Sequence, residues 1–184
     1  MPLHNAPPKA QEIMMAAEAM IRTRGYNGFS FREIADTVGI KSASVHYHFP
    51  SKGDLGAAVA RDYTERFLAG LGDPQATETS PQDLIKQYIA AYRTALVDQD
   101  LMCLCGMLGA EVASLPNEVA AETEAFFEAN IAWLSTVFVR RGSSPDHARR
   151  QALSTIATLE GAMILARSLQ NQTTFDEAVA GIMA

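Results

Sequence analysis

At 184 residues, 48% of them hydrophobic, the chain has the size of one ordinary domain or of a small domain fused to a larger one. No apolar run approaches the roughly 18–20 residues needed to span a bilayer, and residues 1–9 lack an apolar signal-peptide core, so a cytoplasmic protein is expected. The formal charge of -6 and pI near 5.2 argue against a generally basic nucleic-acid binder, and the two cysteines, Cys103 and Cys105, are too few for a disulfide framework.

The elements read as helices throughout. A first helix is expected from Lys9 to Arg24, with Ile13, Ala16, Ala17, Met20 and Ile21 on one face. Ser30 followed by Glu33 is a capping box that opens a second helix, Ser42 caps a third that Pro50 stops, and Ser51 opens a fourth that reaches about Leu71. GDPQATETSP, residues 72–81, is a linker by composition. Three further helices start with proline in the first turn, where its missing N–H costs nothing: from Pro81 to about Val97, from Pro116 to about Arg141, and from Pro145 to about Leu169. A segment from Leu101 to Ser114 and a short helix from about Thr174 complete some nine helices, an all-α fold.

The second and third helices carry the functional signal. Ala35, Gly39 and Val45 stand where a helix-turn-helix needs a small contact residue, a turn glycine and an apolar anchor. Phe29, Phe31, Ile34, Val38, Ile40, Val45, Phe49 and Leu55 read as its core. The positions left over, Lys41, Ser42, Ser44, His46, Tyr47 and His48, present hydrogen-bonding groups suited to base edges and phosphates in a major groove. Residues 1–56 hold six Lys/Arg against five Asp/Glu, while residues 57–184 hold nine against sixteen. The acidity thus belongs to the C-terminal part, and a near-neutral head can still meet a duplex through a few cations and helix N-termini.

At VHYHFPSKGDL, with Gly39, the His-Tyr-His cluster before Phe49 and Lys52 in fixed register, the chain resembles the TetR/AcrR family of bacterial transcriptional regulators. The match is strongest over residues 9–56. The resemblance implies a helix-turn-helix DNA-binding domain at 1–56 and a helical effector-binding and dimerisation domain at 57–184. It also implies DNA contacts from Arg32, with Ser30 beside it, from Lys41, Ser42 and Ser44, from His46, Tyr47 and His48, and from Lys52. Many relatives carry tyrosine where this chain has His46. Arg32 and Lys41 are the groups able to read guanine.

An effector pocket is expected between the helices that start at Pro81, Leu101 and Pro116. Tyr88 and Tyr92 lie one turn apart, and Phe126, Asn130, Trp133 and Val137 form a stripe. Met102, Met107 and Met163 supply adaptable lining, and Asn130 is the polar group on an apolar face. Cys103 and Cys105 point about 200° apart on a helix, which suits neither a disulfide nor a shared metal. They read as small buried hydrophobes, or as a thiol that an electrophilic effector attacks. No metal or cofactor is expected.

The architecture of that family places its last two helices in a dimer interface. Here Ser154, Ala157, Thr158, Gly161, Ala162 and Leu165, with Phe175, Val179 and Ile182, are expected to form a homodimer seam. The expected function is a regulator, most simply a repressor released from a near-palindromic operator by a small apolar or electrophilic effector. The alternative is a helical enzyme or interaction module using Cys103 or Cys105. A cysteine enzyme needs a base, and His4, His46, His48 and His147 all lie outside the central helices in sequence.

Overall fold

A computed structural model describes residues 7–182 and contains nine α-helices: α1 Pro8–Arg24, α2 Phe31–Val38, α3 Ser42–His48, α4 Lys52–Leu71, α5 Pro81–Arg93, α6 Leu104–Ala110, α7 Asn117–Arg140, α8 Pro145–Ser168 and α9 Thr173–Val179. Short 3₁₀ turns occupy Tyr26–Gly28, Val112–Ser114 and Ala180–Ile182, and a π-helical stretch, Thr94–Asp98, prolongs α5. His4 and the other residues before Pro7 lie outside the described part, as do Met183 and Ala184.

Contacts gather the chain into two compact units. The first runs to Phe67 and also takes in Leu104–Phe126; the second comprises Leu68–Cys103 and the chain from Phe127 onward. This division does not follow the sequence boundary expected at residue 56, because α4 and α7 each continue through a unit boundary and α6 packs on α1.

In the first unit the caps decide where helices begin. Ser30 Oγ accepts from the Glu33 N–H and donates to the Glu33 carboxylate, closing the expected capping box on α2. Gly39 ends α2 in the left-handed conformation, φ 72°, with its N–H on the Ala35 carbonyl. Ser51 and Asp54 make a second box at the start of α4. At α3 the cap differs from expectation. Lys41 holds the N-cap position and Ser42 is the first helical residue, with no side-chain cap.

Ile13, Ala17, Ile21, Ile34, Val45 and Leu55 are fully buried, so α1 and the head of α4 clamp the helix-turn-helix. Phe31, Val38 and Ile40, expected in the core, are only half-buried, at the two ends of the eight-residue α2 and in the turn that follows it. The buried Arg22 is neutralised by Glu18 at 3.1 Å and lies over the Tyr63 ring.

In the second unit Ser80 caps α5 through the Asp83 N–H. The linker is tied down by α7: Trp133 Nε1 donates to the Gly72 carbonyl, and the Arg140 guanidinium donates to the carbonyls of Pro74 and Thr79. Leu84, Ile85, Leu134, Val137, Phe138, Leu159 and Phe175 fill the unit's core.

Candidate nucleic-acid interface and effector core

The turn between α2 and α3 presents α3 outward. Arg32, Lys41, Ser42, His46 and Tyr47 are exposed, Ser44 and His48 are half-buried, and Ser30 is exposed at the N-terminus of α2. Tyr47 keeps 84% of its surface open, an extreme value for a large aromatic side chain. Its ring meets the edge of His48 at 5.2 Å, and His46 meets Phe31 at 4.7 Å with Nδ1 3.5 Å from the Pro50 carbonyl. Rings held edge to face lose little further entropy when a duplex arrives. Among the described residues Arg32 and Lys41 pair with no acidic side chain, so both charges remain available to phosphate or guanine.

Lys52 is placed otherwise. Its Nζ donates to the Phe29 carbonyl at 2.7 Å and lies 4.7 and 4.3 Å from the ring centroids of Tyr26 and Phe29. Burial lowers its pKa from 10.5, against the pull of Glu111 and Glu33. The ammonium ties the start of α4 to the loop before α2, which is a structural bond rather than an open charge.

The expected effector residues divide between the units. Tyr88, Tyr92, Met102, Cys103, Asn130, Trp133 and Met163 belong to the second, all buried; Cys105, Met107 and Phe126 belong to the first. Cys105 and Phe126 are buried there, Phe126 against the rings of Tyr63 and Phe67, and Met107 is half-buried.

The residues of the second unit form a polar row inside an apolar core. Tyr88 donates to Asn130 Oδ1 at 2.9 Å, and its ring lies 5.6 Å from that of Tyr92 and 5.7 Å from Trp133. Tyr92 donates to Glu160 Oε1 at 3.2 Å, and the Cys103 thiol also hydrogen-bonds to Glu160. Burial pushes the Glu160 carboxyl above its ordinary 4.5, and the two hydrogen bonds only partly oppose this. Burial likewise pushes the Tyr88 hydroxyl upward. Among the described residues no cation pairs with Glu160.

Sequence reasoning did not single out Glu160. Its signal was present, as one acid within the otherwise uncharged run from Gln151 to Ala166 of α8.

The outer face of α8 is apolar. Leu153, Ile164, Leu165 and Leu169 are 44, 54, 51 and 63% exposed, with Ser154 and Ala157 exposed and Thr158 and Gly161 half-buried between them. Three members of the expected seam turn inward instead. Ala162, Phe175 and Val179 are buried in their own chain, because α9 folds back on the inner face of α8 and occupies them. Ile182 is half-buried.

Residues 13–59 match the family described as bacterial regulatory proteins, tetR family, and residues 81–180 match a C-terminal domain described as transcriptional regulator LmrA/YxaF-like. The chain is similar in structure to a TetR transcriptional regulator from Legionella pneumophila, 35% identical with a TM-score of 0.90 over 97% of both chains. A TetR-family regulator from Agrobacterium tumefaciens is 32% identical, with a TM-score of 0.88 over 95% of both. The HTH-type transcriptional repressor KstR2 of Mycolicibacterium smegmatis is 33% identical over 73 residues, 40% of this chain and 36% of that protein.

Proposed function

The chain belongs to the TetR family of bacterial regulatory proteins and is a DNA-binding transcriptional regulator, and we propose that it is a cytoplasmic homodimeric repressor released from its operator by a small apolar effector. The observation that carries the DNA-binding face is α3: a short helix with two unpaired cations at its approaches and an aromatic side chain standing free in solvent. Arg32 and Lys41 would supply guanine or phosphate contacts. Ser30, Ser42, Ser44, His46, Tyr47 and His48 would fix the register. Lys52 would act from behind, holding the loop before α2.

Four large apolar side chains exposed along α8 favour the second-copy interface. A dimer places two α3 helices on successive major grooves, roughly 34–36 Å apart, and so favours a near-palindromic site. Repression is the simplest polarity, and KstR2, 33% identical over 73 residues, is a repressor by name. The effector would enter where Tyr88, Tyr92, Asn130 and Trp133 gather with Met102, Cys103 and Met163. Hydrogen-bonding groups on otherwise apolar walls suit a small molecule with an apolar body and one or two polar atoms. An electrophile would have to reach Cys103 at 2% exposure and Cys105 at none, which favours reversible binding over thiol capture.

Selecting duplexes from a random library with the full-length protein tests the reading. A near-palindrome is the expected product. Lys41→Ala is expected to weaken its binding about tenfold and to reduce the salt slope by about one. Leu165→Asp is expected to dissociate the dimer in sedimentation and to weaken binding about a hundredfold. A monomeric wild type, or selected sequences without symmetry, would overturn the dimer reading.

A further inference from the structure

We infer that Glu111 is a positioning residue for DNA binding, a carboxylate on the α6–α7 connection that fixes the turn from which the helix-turn-helix starts. The inference rests on the DNA-binding role above and adds to it the route by which that role is controlled.

Glu111 is unlike the acids around it. Oε1 accepts from the Tyr26 N–H at 3.0 Å, and Oε2 accepts from the Asn27 N–H at 3.2 Å and from Asn27 Nδ2 at 2.7 Å. Three donors from one short turn, 84 and 85 residues away in the chain, thus converge on one side chain. Ser114 Oγ adds a fourth contact to Asn27 Nδ2, at 3.3 Å. The turn Tyr26–Gly28 joins α1 to α2, so its geometry decides how α2 and, through it, α3 leave the core. Hydrogen bonds to a charged acceptor are about twice as strong as neutral ones.

The backbone is cut to receive this carboxylate. Gly25 ends α1 at φ +80°, and a Cβ there would overlap the Glu111 carboxylate as well as strain the backbone. The same segment presses two more acids on the head: Glu118, whose carboxylate a Cβ at Gly53 would strike, and Glu122, paired with Arg61. Glu111 also supports the charged form of Lys52, the ammonium that ties the start of α4 to the loop before α2. One side chain therefore stabilises both attachments of the helix-turn-helix.

The position of Glu111 in the chain gives it a partner in control. Cys103, hydrogen-bonded to Glu160 in the second unit, is covalently followed by Leu104, the first residue of α6, and Glu111 comes directly after that helix. An effector that moves Cys103 therefore draws on α6 and on the clamp. Loss of the clamp lowers the fraction of molecules whose α3 is set for a duplex, and the apparent affinity falls by that same fraction.

The test compares wild type, Glu111→Gln, Glu111→Asp and the exposed control Glu124→Gln, using a duplex selected by the wild-type protein. Duplex affinity is read by fluorescence anisotropy under conditions where each variant is folded, and exchange of the Tyr26 and Asn27 amides by NMR. Gln keeps the size of Glu but turns an NH₂ toward donors, so Glu111→Gln is expected to weaken binding about tenfold and to speed both amides. Glu111→Asp, which keeps the charge, is expected to fall between it and wild type, and Glu124→Gln to match wild type. Wild-type affinity in folded Glu111→Gln would reduce the clamp to a structural contact and overturn the inference. So would unaltered exchange, a result readable even if the wild type selects no duplex and the DNA-binding role itself fails.

Discussion

The outer face of α3 and the interior row from Asn130 to Cys103 hold similar chemistry, tyrosine hydroxyls and titratable groups among aromatic rings, in opposite surroundings. On α3, Tyr47 and its neighbours meet water, keep their hydrogen-bonding capacity open and contribute little to stability. In the second unit Tyr88, Tyr92 and Asn130 are buried and Glu160 is half-buried beside them, and each finds a partner inside the protein. An exposed polar face can be spent on a ligand without disturbing the fold. A buried polar row cannot, and whatever displaces one member must replace its hydrogen bond or unsettle the others.

Four substitutions can break or sharpen that contrast. Asn130→Ala removes one partner of the Tyr88 hydroxyl, which also hydrogen-bonds with Tyr92, and empties the buried space of the amide, for an expected loss of about 2 kcal/mol by urea unfolding. Tyr88→Phe, which removes the donor instead, is expected to cost less. Equal costs would mean that water already reaches the row.

Glu160→Gln is expected to act through pH. The folded pKa of Glu160 is raised, so its contribution to stability is fully present below the unfolded value near 4.5 and is lost as pH rises through the folded value. As pH rises above the unfolded value near 4.5, wild type is therefore expected to lose stability relative to Glu160→Gln, and urea midpoints measured along that rise check it. A parallel pair of curves would mean that the carboxylate is ionised and well solvated throughout. The smallest effect is expected on α3, where Tyr47→Ala should change stability by less than about 0.5 kcal/mol. A larger loss would show Tyr47 to be part of the core, contrary to its role at the surface.

The legibility of the two regions differs for the same reason. On α3 the pattern of apolar and polar residues shows which side chains have no place in a core, and Gly39 and Pro50 fix the helix ends. The exposure of Arg32, Lys41 and Tyr47 could be read before any coordinates. Lys52 misleads, because a lysine in a helix's first turn reads as a phosphate ligand and nothing local reveals the rings of Tyr26 and Phe29 beneath it. On α8 the three- and four-residue spacing marks two faces at once. Ala162 lies next to Gly161 in sequence, about 100° further round the helix, and is buried where Gly161 is half-buried, so only the packing of α9 tells core from seam.

The sequence alone determined the helical class, most helix boundaries to within a residue or two, and the helix-turn-helix, because caps, turn glycines and amphipathic periods are local. Tertiary structure alone decided the rest. It gathered Leu104–Phe126 with the N-terminal helices, brought Glu111 to a turn 84 residues distant, joined Glu160 to Tyr92 and Cys103, and turned Phe175 and Val179 inward. Such pairings depend on which surfaces meet when the helices pack, and no spacing along a chain encodes them directly.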